Sequence, residues 1–220
     1  MRCIVTAGPT YEPIDQVRRL TNHSTGSLGT GLAKRLASDG HEVILLRGTM
    51  ATYTEAIESL DTRIFTTTDD LAEKLKKLAE EFPDTFAVFH AAAVSDFCAR
   101  SVFQRKSDDK LIRLKNGKLS TRDGKLLLEL CPTQKIILKL RSWYKKAQIF
   151  GWKYEVDGNR FTSVDNAKKQ INENKTNACI INGSAYGDGF GLLKKGSETA
   201  NHLNNTKMLY DALASLIKSA

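Results

Sequence analysis

"GLAKRLASDGHEVILLRG" (31–48) passes from one periodicity to another within a short stretch. Leu32, Ala33 and Leu36 recur at helical spacing, Gly40 supplies a stop, and "HEVILLRG" (41–48) runs on as an unbroken apolar segment. A strand that is apolar on both faces needs cover on both, so the pair predicts a helix packed on a parallel sheet. Upstream, "RCIVTA" (2–7) predicts a strand ending at Gly8-Pro9. Downstream, "TRIFTT" (62–67) predicts a third strand, "TDDLAEKLKKLAEEF" (68–82) a helix capped by Thr68 or Asp69, and "FAVFHAAAV" (86–94) a fourth strand. The order β-α-β-β-α-β defines an α/β fold, Rossmann-like, with a mostly parallel sheet flanked by helices.

The middle of the chain breaks that rhythm. From 95 to 130 it is polar and basic, with "NG" at 116–117 and "DG" at 123–124 between the strand candidates "KLIRL" and "KLLLEL". That is the pattern of a β-hairpin excursion from the sheet edge. Helices are then expected over 133–146, 163–173 and 204–218, and strands over 148–155 and 178–182. No repeat period is evident, and residues 1–220 read as a single domain, since compact domains run roughly 100–200 residues.

Composition narrows the function classes. A hydrophobic content of 41% and a charged content of 26% belong to a chain that folds by itself. No apolar run is long enough to span a bilayer, and Met1 leads into a strand rather than a signal core, so the expectation is a soluble, cytoplasmic protein with no membrane partner. The four cysteines are isolated and form no CxxC pair, which suits a reducing compartment. Net charge is +8 and the pI about 9.3, yet RNP, KH, helix-turn-helix and zinc-finger patterns are all missing. Basicity therefore points to phosphorylated small molecules rather than nucleic acid. The four histidines show no metal-ligand spacing, and His23 and His90 read as packing or hydrogen-bonding residues.

One segment is built for an anion. In "LTNHSTGSLGTGLAKRL" (20–36), Ser24 and Thr25 supply hydroxyls, Gly26 permits close backbone approach, and a helix N-terminus follows. A dinucleotide fingerprint would place its glycines directly after the first strand, whereas these lie well downstream of Gly8. A short-chain dehydrogenase is an alternative, because "TGSLGTG" approximates that loop and "FHAAAV" its fourth strand. None of the six tyrosines has Lys at i+4, so hydride transfer would lack its acid.

Taken together, "VTAGPTYEPIDQVRRLTNHSTGSLG", "HAAAVSDF", "GKLS" and a "GW-K-YE" strand end resemble the phosphopantothenoylcysteine synthetase family, also called phosphopantothenate–cysteine ligase. The signature "TxGxTxExIDxVRxxxNxSxG" fits in one register, with weaker similarity along the whole chain. In many bacteria this domain is fused to a flavin-containing decarboxylase, and the resemblance implies a stand-alone form here. It also implies a ligase of coenzyme A biosynthesis. The partners would be 4′-phosphopantothenate, L-cysteine and a nucleoside triphosphate, CTP or ATP. An acyl nucleotidylate forms with release of pyrophosphate, and the cysteine amine then displaces the nucleotide.

The resemblance assigns residues as well. Asn22 and Lys118 match catalytic positions; Gly8, Ser24, Thr25, Gly26, Ala92, Ala93, Asp96 and Lys175 match positions around the nucleotide. Magnesium is implied by the nucleotide and would be held mainly by phosphates, with no protein metal ligands. The family is dimeric, so a homodimer through 98–130 is expected; a mobile lid is the other reading of that span. The chain departs from the family at "CPTQK" (131–135) and at "NKTNACIING" (174–183), where Gly183 stands in place of an Asp. Those departures motivate a second hypothesis, a nucleotide-binding module of the same fold without turnover.

Overall fold

The computed structural model describes residues 1–53, 60–115, 117–120, 122 and 124–218. Strand β1 (Arg2–Ala7) is followed by a small hairpin, β2 (Tyr11–Pro13) and β3 (Arg19–Thr21), then by helix α1 (Ser27–Ser38) and strand β4 (Glu42–Gly48). Strand β5 (Asp61–Phe65), helix α2 (Thr68–Glu81) and strand β6 (Ala87–His90) complete the first half. Three antiparallel strands, β7 (Phe97–Arg105), β8 (Leu111–Leu114) and β9 (Leu126–Pro132), form the excursion. The chain returns through α3 (Ile136–Trp143), β10 (Gln148–Tyr154), α4 (Arg160–Asn174), β11 (Ala178–Asn182), β12 (Phe190–Lys194), β13 (Asn201–Leu203) and α5 (Thr206–Lys218).

The main sheet has eight strands in the order β13-β12-β11-β10-β6-β1-β4-β5. The six from β11 to β5 are parallel, and β12 and β13 add an antiparallel edge. Alternate side chains explain why both faces are covered. Val5, Ala7, Leu45 and Phe89 pack with Leu32 and Leu36 of α1 and Leu213 and Ile217 of α5. Ile4, Ile44, Leu46 and Val88 pack on the other face with Leu71 and Leu75 of α2 and Ile136 and Leu140 of α3. Helix α4 extends that second layer over Cys179 and Ile181. Burying one such leucine stabilises the fold by roughly 1.5–3 kcal/mol. Close approach of α1 to β1 depends on Gly29, where a Cβ would lie 2.7 Å from the Ala7 Cβ and 2.8 Å from the Thr6 carbonyl oxygen.

Several boundaries differ from the sequence expectation, each for a local reason. Helix α1 begins at Ser27, so "STG" is its entry, with Gly26 as N-cap at φ 80°. The cap of α2 is Thr67, whose hydroxyl accepts the Asp70 N–H at 3.2 Å; the Thr68 N–H instead goes to the buried Glu12 carboxylate at 2.9 Å. Strand β6 stops at His90, and the small residues beyond it form a loop that is bridged to the segment after β1 between Pro9 and Ala93. In the excursion, β8 and β9 each pair with β7, a strand that went unread, rather than with each other. Asn116 and Asp123, the expected turn residues, lie outside the described residues. Strands β12 and β13 were also hidden, because short edge strands carry little periodicity.

Candidate active site

Strand order reverses between β1 and β6, and open α/β sheets bind ligands outside the carboxyl ends of strands at such a point. The two chains leaving these strands stay together. The Ala93 N–H donates to the Gly8 carbonyl at 3.0 Å and the Thr10 N–H to the Ala93 carbonyl at 3.2 Å. The Thr10 hydroxyl accepts the Ser95 N–H at 2.8 Å, and both side chains are buried. The β3 end is tied in by the Thr21 hydroxyl, which donates to the Thr10 carbonyl at 2.8 Å, and by the Asn22 side-chain amide, which donates to the Val94 carbonyl at 3.1 Å. A cleft of about 650 Å³ lies along this seam. It is within the size range of small-ligand sites.

Asn22, Ser24 and Leu28 form one wall, and the loop from His90 to Asp96 forms the floor. The opposite wall comes from the start of α3 and the ends of β10 and β11. Asp96 is the one carboxylate among the described lining residues, and Lys135 pairs with it. A second cation, Lys153, pairs with Glu155 at 3.2 Å. The exposed Asp96–Lys135 pair contributes roughly 0–1 kcal/mol and exchanges partners at little cost when an anion arrives. Trp152 Nε1 and Asn182 Oδ1, on the neighbouring strands β10 and β11, are a buried donor and a buried acceptor without partners. Buried polar atoms are rarely left so.

Of the residues singled out in the sequence, Asn22, Ser24, Ala92, Ala93 and Asp96 all line this cleft. Gly8 and Gly26 lie behind it, packed so closely that a Cβ on Gly26 would sit 3.2 Å from the Gly8 Cα. Thr25 is exposed beside the helix entry, its hydroxyl 3.0 Å from that of Ser27. Lys118 is exposed and is not a lining residue of the cleft. Its segment is held on the β2–β3 turn by Asp15, whose carboxylate accepts the N–H groups of Leu119 at 3.0 Å, Val17 at 2.9 Å and Arg18 at 2.6 Å, and pairs with the Arg18 guanidinium. Desolvation pushes the Asp15 carboxyl up, but these donors outweigh it and hold the group well below the usual carboxylate range.

Lys175 needs correcting. It follows α4 and precedes β11, at the amino end of the strands, with Arg141, Lys145 and Lys195 around it. The sheet itself separates it from the cleft. Motif register had suggested proximity, but a residue entering a parallel strand emerges on the edge opposite the site. Lys135, Lys153, Gln170 and Asn182 line the cleft and were missed. The rule that strand carboxyl ends carry the site would have found Lys153 and Asn182; Gln170 had no signal, since only the packing of α4 brings it there.

Fold and cleft define a Rossmann-like α/β domain with a small-ligand site at the strand switch point. The model of the DNA/pantothenate metabolism flavoprotein C-terminal domain matches residues 1–209, and the chain belongs to that family, the phosphopantothenoylcysteine synthetase family. The dehydrogenase alternative is thereby dropped. The coenzyme A biosynthesis bifunctional protein CoaBC of Bacillus subtilis is 29% identical over 84% of this chain and 42% of its own length. A cysteine/cysteine sulfinic acid decarboxylase of an unknown prokaryotic organism is 30% identical over 86% of this chain and 48% of its own. The chain thus spans about half the length of the curated relatives it matches or less. A crystal structure of the DNA/pantothenate metabolism flavoprotein from Streptococcus pneumoniae superposes with a TM-score of 0.85 at 27% identity, covering 100% of this chain and 99% of that one. The Cab2 mutant H337A in complex with phosphopantothenate-cysteine shares the fold, with a TM-score of 0.74 at 19% identity, covering 99% of this chain and 87% of that one.

Proposed function

We propose that this chain joins 4′-phosphopantothenate to L-cysteine, driven by CTP or ATP through an acyl nucleotidylate. One observation carries the reading: the signature around Asn22 and Ser24 and the segment from Ala92 to Asp96 meet in a single cleft. Asn22 has two amide N–H donors and commits one to Val94, which leaves the other for an oxyanion or acyl phosphate. At the Gly26-capped entry of α1 the Thr25 hydroxyl accepts the Ser27 N–H at 3.3 Å, and the N–H groups that follow, with the Ser24 hydroxyl, suit phosphate oxygens. Lys135 and Lys153 supply mobile positive charge nearby. Magnesium fits as an ion carried by the triphosphate: Asp96 is the carboxylate it would meet, and the described residues hold no cluster of three metal-ligating side chains.

Pyrophosphate release that requires both phosphopantothenate and CTP or ATP, followed by cysteine-dependent amide formation, is the expected result. Nucleotide binding without release would favour the non-catalytic module instead. We further propose a homodimer through 98–130. Leu126, Leu128 and Leu130 form an exposed row on one face of β9, and Lys118, which does not line its own cleft, would serve that of a second copy. Light scattering on the purified chain tests the assembly.

A further inference from the structure

We propose that His90 is a substrate-binding residue of the cleft, presenting an uncharged Nε2–H donor to an acceptor oxygen of a bound substrate, with Thr6 setting the tautomer. The inference deepens the ligase reading and rests on it for the identity of the ligands.

The argument begins with Thr6, which is fully buried in β1 and paired in register with His90 of β6. Its hydroxyl oxygen accepts the Ala92 N–H at 3.0 Å and lies 3.1 Å from His90 Nδ1. A buried hydroxyl must place its own hydrogen, and Nδ1 is the one acceptor that Thr6 reaches among the described residues. Thr6 therefore donates to Nδ1, and the ring proton resides on Nε2. Nε2 makes no bond among the described residues, yet it is not sealed off like the orphaned atoms of Trp152 and Asn182. His90 is 7% exposed and lines the cleft, so that remaining surface opens on the site.

The surroundings keep the ring neutral. On its sheet face His90 is flanked by Thr6 and by Gly151 of β10, and the space left by Gly151 is filled by Gln170 of α4 and Ile137 of α3. None of these is charged. The charged lining residues Asp96, Lys135 and Lys153 are engaged in their own pairs. Burial pushes the imidazole down to about 4. A neutral, fixed donor on the floor of a cleft does not titrate with the reaction, and it suits a carboxylate or phosphoryl oxygen. The carboxylate would come from phosphopantothenate and the phosphoryl group from the nucleotide, and the two sources can be separated.

Imidazole nitrogen spectra of the whole chain are recorded alone, with 4′-phosphopantothenate, and with CTP or ATP. Alone, His90 should show the Nε2–H neutral tautomer down to pH 6, and its Nε2 signal should move with the ligand that supplies the acceptor. His90→Leu should raise the KM for that same ligand about five- to tenfold with a smaller change in kcat, as for one lost neutral hydrogen bond. His90→Gln, which keeps an N–H at similar reach, should recover most of that loss. Thr6→Val should mix the tautomers and Thr6→Ser restore them. An Nδ1–H tautomer, an imidazolium near pH 6.5, or KM values unchanged in His90→Leu overturns the proposal. The spectrum of the free chain needs no turnover, so an intact Nε2–H tautomer in a chain without ligase activity would count against the reaction rather than the donor.

Discussion

Asn22 shows how one side chain can be a strut and, in the proposed reaction, a donor to the reacting group. Its amide ties the β3 end to the Val94 carbonyl while its remaining polar atoms face the cleft. Asn22→Asp exchanges a donor for a negative charge of the wrong sign for an oxyanion. It is expected to retain pyrophosphate exchange and to lose the cysteine amide, which product analysis by mass spectrometry would show; full product formation would remove Asn22 from the mechanism. Gly183 explains a departure from the family motif: at φ +110° its Cβ would lie 2.3 Å from the Glu155 carbonyl oxygen. Restoring the family residue as Gly183→Asp should therefore cost stability, about 1–3 kcal/mol from the backbone alone, rather than improve activity. Chemical denaturation gives the sign. His90 carries a pH signature. Its pKa is depressed when folded, so the unfolded chain binds the proton more readily between about 4 and the ordinary 6.5. This contribution is fully present above pH 6.5 and is lost as pH falls toward 4. On the order of 3 kcal/mol is involved, and the fall in melting temperature over that window should be shallower in His90→Gln.

At the scale of elements, α1 is the member on which the site depends. Its apolar stripe was readable, and so was the glycine stop: Gly40 adopts φ +84° just past the C-cap Asp39. What the stripe did not disclose is how close the helix comes to β1. Gly29→Ala would drive a methyl group into Ala7 and the Thr6 carbonyl and displace α1 from the sheet. Overpacking of this kind costs about 1–3 kcal/mol. It should also weaken nucleotide binding, because the helix entry moves with the helix; a melting temperature and nucleotide affinity both unchanged would contradict the packing account. The β2–β3 hairpin was not legible, since three-residue strands leave almost no pattern. Its Asp15 clasp on Leu119 joins residues far apart in sequence, which no local reading can anticipate.

For the whole molecule, the excursion is where fold and function still have to be joined. A three-stranded sheet displaying Phe97, Ile112 and the β9 leucines to solvent is an unusual surface for a lone domain. Leu128→Glu should leave the melting temperature near that of the parent, since the side chain is already 37% exposed. It should halve the mass seen by light scattering if the face is the dimer contact. An unchanged mass would reassign 98–130 as a lid.

Local patterning by itself determined the alternation of strands and helices, the sheet's parallel character and the glycine-led entry of α1, because periodicity and caps are properties of neighbouring residues. The family signature singled out residues that the fold brings into one cleft, from Asn22 to Asp96. Only the tertiary structure decided that Lys175 sits at the far edge, that the Lys118 segment is clasped to a hairpin through Leu119, and that His90 is buried beside Thr6. Those outcomes depend on strand direction, inter-strand register and the removal of water, which come into existence only when distant segments are packed against one another.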